Sequence, residues 1–286
     1  MFSLAVAIYL YKSESFMKIT FIGGGNMAGA MIGGLIHHGS TPSHICAVET
    51  DAMRRQQLAE ACGVTVTASI PDGIHGSEIV ILAVKPQQLR AVANQAAQFL
   101  QNKLVISIAA GVRASDLSQW LNRHEFVIRA MPNTPALIGE GITGLYALPL
   151  VDSRQKEQAT TILEAIGTVI WVNEEAQLDA VTALSGSGPA YVFYFLEAMQ
   201  EAGTQLGLTA DTAKQLAMQT FLGATHLAAQ SNDTLATLRM KVTSQGGTTE
   251  QALLSMEQAD IRGAFIRAMH AACDRSRQMG EIFGRT

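Results

Sequence analysis

Apolar positions along the chain fall into two regimes. In the first, short continuous apolar runs alternate with stretches of helical spacing. Residues 18–22 run into glycines and read as a buried first strand. The runs at 45–49 (ICAVE), 78–86 (EIVILAVKP), 104–111 (LVISIAAG) and 126–132 (FVIRAMP) repeat that pattern, and 65–67 adds a short strand. Helical spacing fills 27–37, 51–61, 87–100 and 115–121, and then 153–166 ahead of a last strand at 168–172. Strands apolar on both faces, alternating with helices, predict a parallel sheet covered on both sides.

After Asn173 the pattern is helical almost throughout, over about 175–184, 189–206, 210–230, 232–242, 249–257 and 260–282. One segment, AYVFYFLEAM, is apolar nearly all round, which demands burial on most sides. A small helical domain meets that demand most easily by packing against a second copy of itself. No low-complexity segment or fixed-period repeat interrupts either regime.

The stretch FIGGGNMAGA turns this pattern toward chemistry. Gly23, Gly25 and Ala28 match the G-x-G-x-x-G/A spacing, directly after a strand and at the opening of a helix that also holds Asn26 and Met27. The first glycine allows the tight turn, the second lets backbone approach a pyrophosphate, and the small third residue lets helix and strand pack closely. The helix N-terminus then offers unpaired N–H groups to the phosphates. A dinucleotide site is predicted, and the fold class is α/β: a Rossmann-type dinucleotide-binding domain over 17–173, then an all-α dimerisation and substrate domain over 174–286. Glu49 closes the second strand, where an acid usually accepts hydrogen bonds from the adenosine ribose and favours NAD. Arg54 and Arg55 follow and could meet the 2′-phosphate of NADP or form a solvated helix face; the local residues leave the choice open.

Composition narrows the classes. Of 286 residues, 48% are hydrophobic and 15% charged, with a net charge of −4, and no Lys/Arg cluster exceeds short pairs. That describes a globular protein without a nucleic-acid footprint. Cys46, Cys62 and Cys273 are far apart and in no CxxC pattern, and His37, His38, His75 and His226 have no ligand spacing. Neither a disulfide framework nor a metal site is expected, and a reducing cytoplasmic location fits. Residues 1–16 hold an apolar run too short to span a bilayer, without a basic region before it or a convincing cleavage site. They read as an N-terminal extension ahead of the natural start at Met17.

Three further stretches lie outside this fingerprint. RAMPNTPALIGEG (129–141) follows a strand end, where open α/β sheets bind ligands. LSGSGPAYV (184–192) is a glycine-serine turn feeding a helix. VTSQGGTTEQAL (242–253) places Thr248 and Gln251 at capping-box spacing, with a helix expected to begin near Thr249 and its free N–H groups suited to a carboxylate.

Together with AVKP (83–86) and SIAAG (107–111), these stretches resemble the pyrroline-5-carboxylate reductases, in family order over residues 17–283. Two departures stand out. Glu49 is an acid where many members carry a neutral residue, and Gln245 replaces a common proline. The resemblance implies hydride transfer from NADPH, with NADH also plausible, to a cyclic imine, giving proline. It implies that Thr249 partners the ring nitrogen and that Ser244, Gly246, Gly247 and Thr248 line a carboxylate pocket. It places Ala83, Val84, Lys85, Pro86, Ala109, Ala110, Met131, Pro132 and Asn133 along the cofactor. It also implies a homodimer or higher oligomer through the C-terminal helices, with the Ser244–Thr249 loop of one chain reaching the cofactor of the other. Two alternatives remain at this stage. A 3-hydroxyacid dehydrogenase of the same plan would need a catalytic lysine on the first helix after the sheet, and residues 175–206 contain none. A non-catalytic dinucleotide-binding regulator would keep Gly23 and Gly25 but would not need the 242–253 pocket.

Overall fold

Residues Ile19–Ile22 are buried at every position, so their main-chain groups must pair on both sides. In the computed structural model, which describes residues 17–285, they do so as a central strand. The expectations for residues 1–16 lie outside the described residues. The first part of the chain runs β1 (Ile19–Ile22), α1 (Asn26–His37), β2 (Ile45–Val48), α2 (Ala52–Cys62), β3 (Thr65–Thr67), α3 (Ile70–Ile74), β4 (Ile79–Leu82) and α4 (Pro86–Leu100). It continues through β5 (Leu104–Ser107), α5 (Ala114–Trp120), β6 (Val127–Met131), β7 (Gly141–Ala147), α6 (Ser153–Glu164) and β8 (Gly167–Trp171).

The sheet order is β3-β2-β1-β4-β5-β6-β7-β8. Pairings from β3 through β6 are parallel. That order reverses between β1 and β4, the switch point at which such sheets bind ligands beyond their carboxyl ends. Helices lock onto the faces through spaced apolar residues: α4 buries Leu89, Ala93, Ala96 and Leu100, all on one side. Caps set their ends. Asp51 accepts from the Arg54 N–H ahead of α2, and Asp152 and Gln155 form a reciprocal box ahead of α6.

The expectation of a purely parallel sheet needs one correction. β7, absent from the strand reading above, runs antiparallel to β6, and β8 then pairs parallel to β7. Its apolar signal is interrupted by Gly141 and Gly144. A Cβ on Gly141 would lie 2.7 Å from the Ile166 carbonyl oxygen, and one on Gly144 2.7 Å from Val181 Cγ1. Close approach of neighbours requires glycine at both places.

Beyond β8 come α7 (Gln177–Val181), a π-helical turn (Thr182–Gly186), α8 (Gly188–Gln205), α9 (Ala210–Gln230), α10 (Leu235–Lys241), α11 (Thr248–Gln258) and α12 (Ile261–Arg285). The chain forms two compact units: one ends at Gly186 and takes in residues from Ala272 onward, the other spans Ser187–Ala271. That division differs from the 173/174 boundary read from the pattern. The end of α12 belongs to the sheet-containing unit, where Ser276 Oγ donates to the buried Asp179 carboxylate at 2.7 Å. Gly111 has φ +77°, and a Cβ there would meet Met279 Cβ at 3.0 Å.

In the helical unit α8 and α9 pack so tightly that a Cβ on Gly203 would lie 2.8 Å from that of Ala213. Yet α8 buries no residue, and α9 buries only Ala213 and Ala217. Phe193 is 58% exposed and Tyr194 70%. Covering such side chains is worth roughly 1.5–3 kcal/mol for each large apolar group.

Candidate functional site

The carboxyl end of β1 turns sharply into α1 through three glycines with different duties. Gly23 has φ +104°, and a Cβ on it would lie 2.6 Å from the Ala83 carbonyl oxygen at the end of β4. Its N–H bonds the Val48 carbonyl oxygen at 2.8 Å, tying the turn to β2. Gly23 is therefore required by the fold. Gly25, the N-cap of α1, has φ −70° and ψ −178°, open to any residue, and a Cβ there meets nothing within 4 Å. No side chain caps α1. Space without protein atoms, in front of uncapped helix N–H groups, is what a bound pyrophosphate needs. Ala28, on the inner face of α1, is buried, as close helix–sheet packing asks.

A groove of about 1010 Å³ opens from this turn. Gly23, Gly25, Glu49, Ala83, Val84 and Lys85 line it, among the residues predicted from sequence. Gly24, Thr50, Ser69 and Pro71 also line it and were not singled out. Gly24 could have been: the triple glycine is visible, and a Cβ on Gly24 would lie 2.7 Å from Leu58 Cδ1. Ser69 follows β3 and accepts from the Asp72 N–H as the cap of α3, a five-residue helix with little periodic signal.

Glu49 is held in place before any ligand arrives. Its Oε2 accepts from the Gly24 N–H at 2.9 Å, and its Oε1 from the Asp51 N–H at 3.0 Å. Partial burial pushes its carboxyl pKa up, but the N–H groups of Asp51 and Gly24 outweigh that and hold it below the usual range. The two arginines separate. Arg55 Nη1 donates to the carbonyl oxygens of Glu49 at 2.7 Å and Thr50 at 2.8 Å, so it braces the end of β2. Arg54 is exposed at the groove, and its guanidinium has no partner among the described residues.

The remaining predicted cofactor residues do not line this groove. Asn26 and Met27 lie in the first turn of α1. Pro86 opens α4, Ala109 and Ala110 follow β5, and Met131, Pro132 and Asn133 end and follow β6. Because β1, β4, β5 and β6 are parallel, all of these stand at one end of the sheet.

In the helical unit, the turn before α11 carries the other predicted residues. The expected Thr248–Gln251 capping box does not form: the N-cap is Gly247, and no side chain caps the helix. Glu250 Oε2 instead accepts from the Gly246 N–H at 2.7 Å, and the Gly247 N–H bonds the Ser244 carbonyl oxygen at 3.0 Å. Those two donors are spent within the turn. The N–H groups of Thr248 and Thr249 have no acceptor among the described residues, nor does the Thr249 hydroxyl have a partner. Thr249 is half-buried, while Ser244, Gly246 and Thr248 are exposed.

Known proteins resemble this chain over most of its length. The pyrroline-5-carboxylate reductase of Pseudomonas aeruginosa is 42% identical over 93% of this chain and 98% of its own. The chain belongs to the pyrroline-5-carboxylate reductase family. A solved reductase from Coxiella burnetii matches with a TM-score of 0.88 at 44% identity, covering 92% of this chain and 98% of that one. One from Plasmodium falciparum, with NADP bound, matches at 0.84 and 28%, covering 93% and 99%. The model for pyrroline-5-carboxylate reductase dimerisation covers residues 175–279, and that for NADP oxidoreductases, coenzyme F420-dependent, covers 18–111.

The reductase is thus an oxidoreductase with a Rossmann-like nucleotide domain and a helical dimerisation domain, and it forms a homo-oligomer. The exposed apolar faces of α8 and α9 lie within the dimerisation match. Among the described residues, no helix is long and apolar enough to cross a membrane, and no cluster of His, Cys, Asp or Glu could hold a metal. In light scattering, the purified reductase should run at no less than twice its 30.5 kDa chain mass. A stable, fully active single chain would contradict the reading of α8 and α9.

Proposed function

We propose that this chain reduces L-1-pyrroline-5-carboxylate to L-proline with NAD(P)H in the cytoplasm, as the last step of proline synthesis, and works as a dimer or a larger assembly joined by its C-terminal helices. Family membership at over 40% identity is the observation that carries the reading. The open space at Gly25 and the unspent N–H groups of Thr248 and Thr249 support it.

The dinucleotide, when bound, supplies the hydride, and the chain's own residues orient and exclude. The N–H groups at the start of α1 hold the pyrophosphate. Residues after β4, β5 and β6, from Ala83 to Pro132, border the nicotinamide half. The turn of Ser244, Gly247 and Thr248 receives the substrate carboxylate at the N-terminus of α11. The Thr249 hydroxyl meets the ring nitrogen. No histidine, cysteine or carboxylate need move a proton there, because an imine nitrogen is basic enough to arrive protonated.

Both cofactors are expected to serve, with NADPH the physiological one. Glu49 repels a 2′-phosphate, while the free Arg54 guanidinium at the same groove attracts it. Assays of pyrroline-5-carboxylate reduction with each cofactor, followed by loss of reduced-nicotinamide absorbance, test the whole reading; no turnover with either would overturn it. Glu49→Ser should raise kcat/KM for NADPH relative to NADH, by about ten-fold if removing the repulsion is worth about 1.4 kcal/mol. An unmoved ratio would mean that Glu49 does not face the ribose and only braces Gly24.

A further inference from the structure

Asn133 stands just beyond the carboxyl end of β6, and both ends of its carboxamide are engaged. It is the N-cap of a short 3-10 turn, Thr134–Ile138, a place where asparagine commonly caps with its side chain. Here it does not cap. Its Oδ1 accepts from the Ile142 N–H at the start of β7 at 2.9 Å, and its Nδ2 donates to the Ser185 carbonyl oxygen at 3.2 Å. The two partners, one a donor and one an acceptor, dictate the orientation of the amide. Asn133 is only 9% exposed, so neither bond is readily replaced by water.

The carbonyl it holds lies in an unusual piece of chain. Thr182–Gly186 is a π-helical turn, a form rare in proteins and frequent at functional sites. Ser185 Oγ back-bonds to the Val181 carbonyl oxygen at 2.9 Å, and Thr182 Oγ1 to that of Leu178 at 2.7 Å. The turn also sits against the end of β6: a Cβ on Gly186 would lie 2.6 Å from Met131 Cε. One side chain therefore links β7, the end of β6 and the π-helical turn.

We propose that Asn133 is a positioning residue for the reductase: its carboxamide bridges the Ile142 N–H to the Ser185 carbonyl oxygen and so fixes the π-helical turn against Met131, shaping the nicotinamide end of the site. This rests on the reductase reading, and it departs from a direct cofactor contact for Asn133, because the carboxamide is engaged on both sides by main chain. The glycine turn and Glu49, which hold the other half of the dinucleotide, are not among its partners. Loss of the bridge should therefore lower turnover and leave dinucleotide affinity nearly intact.

Asn133→Asp tests this, because both partners are main-chain groups. The aspartate can still accept from Ile142, but an ionised oxygen faces the Ser185 carbonyl oxygen with no proton between them. Burial and that carbonyl raise its pKa, and protonation restores a donor. In the full-length enzyme, kcat near pH 8 should fall about 30-fold, within the roughly 100-fold that an ångström of misplacement can cost. The NADPH dissociation constant, from fluorescence titration, should stay within about three-fold. The mutant-to-wild-type kcat ratio should recover about five-fold as pH drops from roughly 8 to 6, as the protonated acid regains its donor. Wild-type turnover in the same assay tests the reductase reading by itself. Wild-type-like kcat near pH 8, a ratio that does not change with pH, or NADPH affinity falling in step with kcat would each overturn the proposal. Asn133→Ala, which introduces no charge, is the second variant: lower kcat with unchanged NADPH affinity supports it, and unchanged kcat overturns it.

Discussion

Gly25→Val should fold and assemble as the parent does and fail to bind dinucleotide. The backbone there is extended, and a Cβ meets no protein atom within 4 Å, so the fold makes no demand for glycine. The added side chain instead occupies the space in front of the α1 N–H groups. Valine is also a poorer N-cap than glycine, so melting should reveal a loss of about 1 kcal/mol at most. Binding should weaken at least about 100-fold, close to 3 kcal/mol. Gly23→Ala makes the opposite comparison. There φ is +104° and the Ala83 carbonyl oxygen lies 2.6 Å from the new methyl, so the variant should lose stability before it loses anything else. Fluorescence titration with NADPH, beside a melting curve, reads both. Near-normal affinity in folded Gly25→Val would remove this loop from the cofactor site.

The separate duties of these two glycines were legible in the fingerprint, which gives the tight turn to Gly23 and the pyrophosphate approach to Gly25; the left-handed φ at Gly23 and the open space at Gly25 give each duty its geometry. What was legible came from short-range pattern. Continuous apolar runs marked β1, β2, β4, β5 and β6 because those strands are covered on both faces. The strand–glycine–helix order located the groove. What was not legible depends on contacts distant in sequence. β7 is disguised by glycines that make room for Ile166 and Val181. The return of α12 to the sheet-containing unit is made by contacts far apart in sequence, such as Ser276 with Asp179 and Met279 with Gly111, and no local spacing announces them. The π-helical turn has no periodic signature either, and its carbonyl partner, Asn133, lies 52 positions earlier in the chain. The capping box failed for a local reason: Thr248 has the right spacing, but the turn places Gly247 at the cap, and Glu250 is engaged with Gly246.

The failure of the capping box sharpens what Thr249→Val should do. Thr249 is the second residue of α11, half-buried, and its hydroxyl bonds to nothing among the described residues. Lying past the N-cap, Gly247, it has no capping duty that valine would take away. Valine keeps nearly the same shape and is branched at the same carbon, so thermal stability should hardly change. If the hydroxyl meets the ring nitrogen as hydride arrives, losing it removes about 2–4 kcal/mol of transition-state stabilisation, roughly a 30- to 1,000-fold drop in kcat/KM. Affinity for NADPH should stay within a few-fold, because the glycine turn after β1 is untouched. Thr249→Ser, which keeps the hydroxyl and drops the methyl, should recover most of the activity. Steady-state kinetics and a melting curve on the same two variants separate the possibilities. Unchanged kcat/KM in Thr249→Val, with or without a lowered melting point, would leave the α11 turn to bind the carboxylate through its main chain and would take Thr249 out of the chemistry.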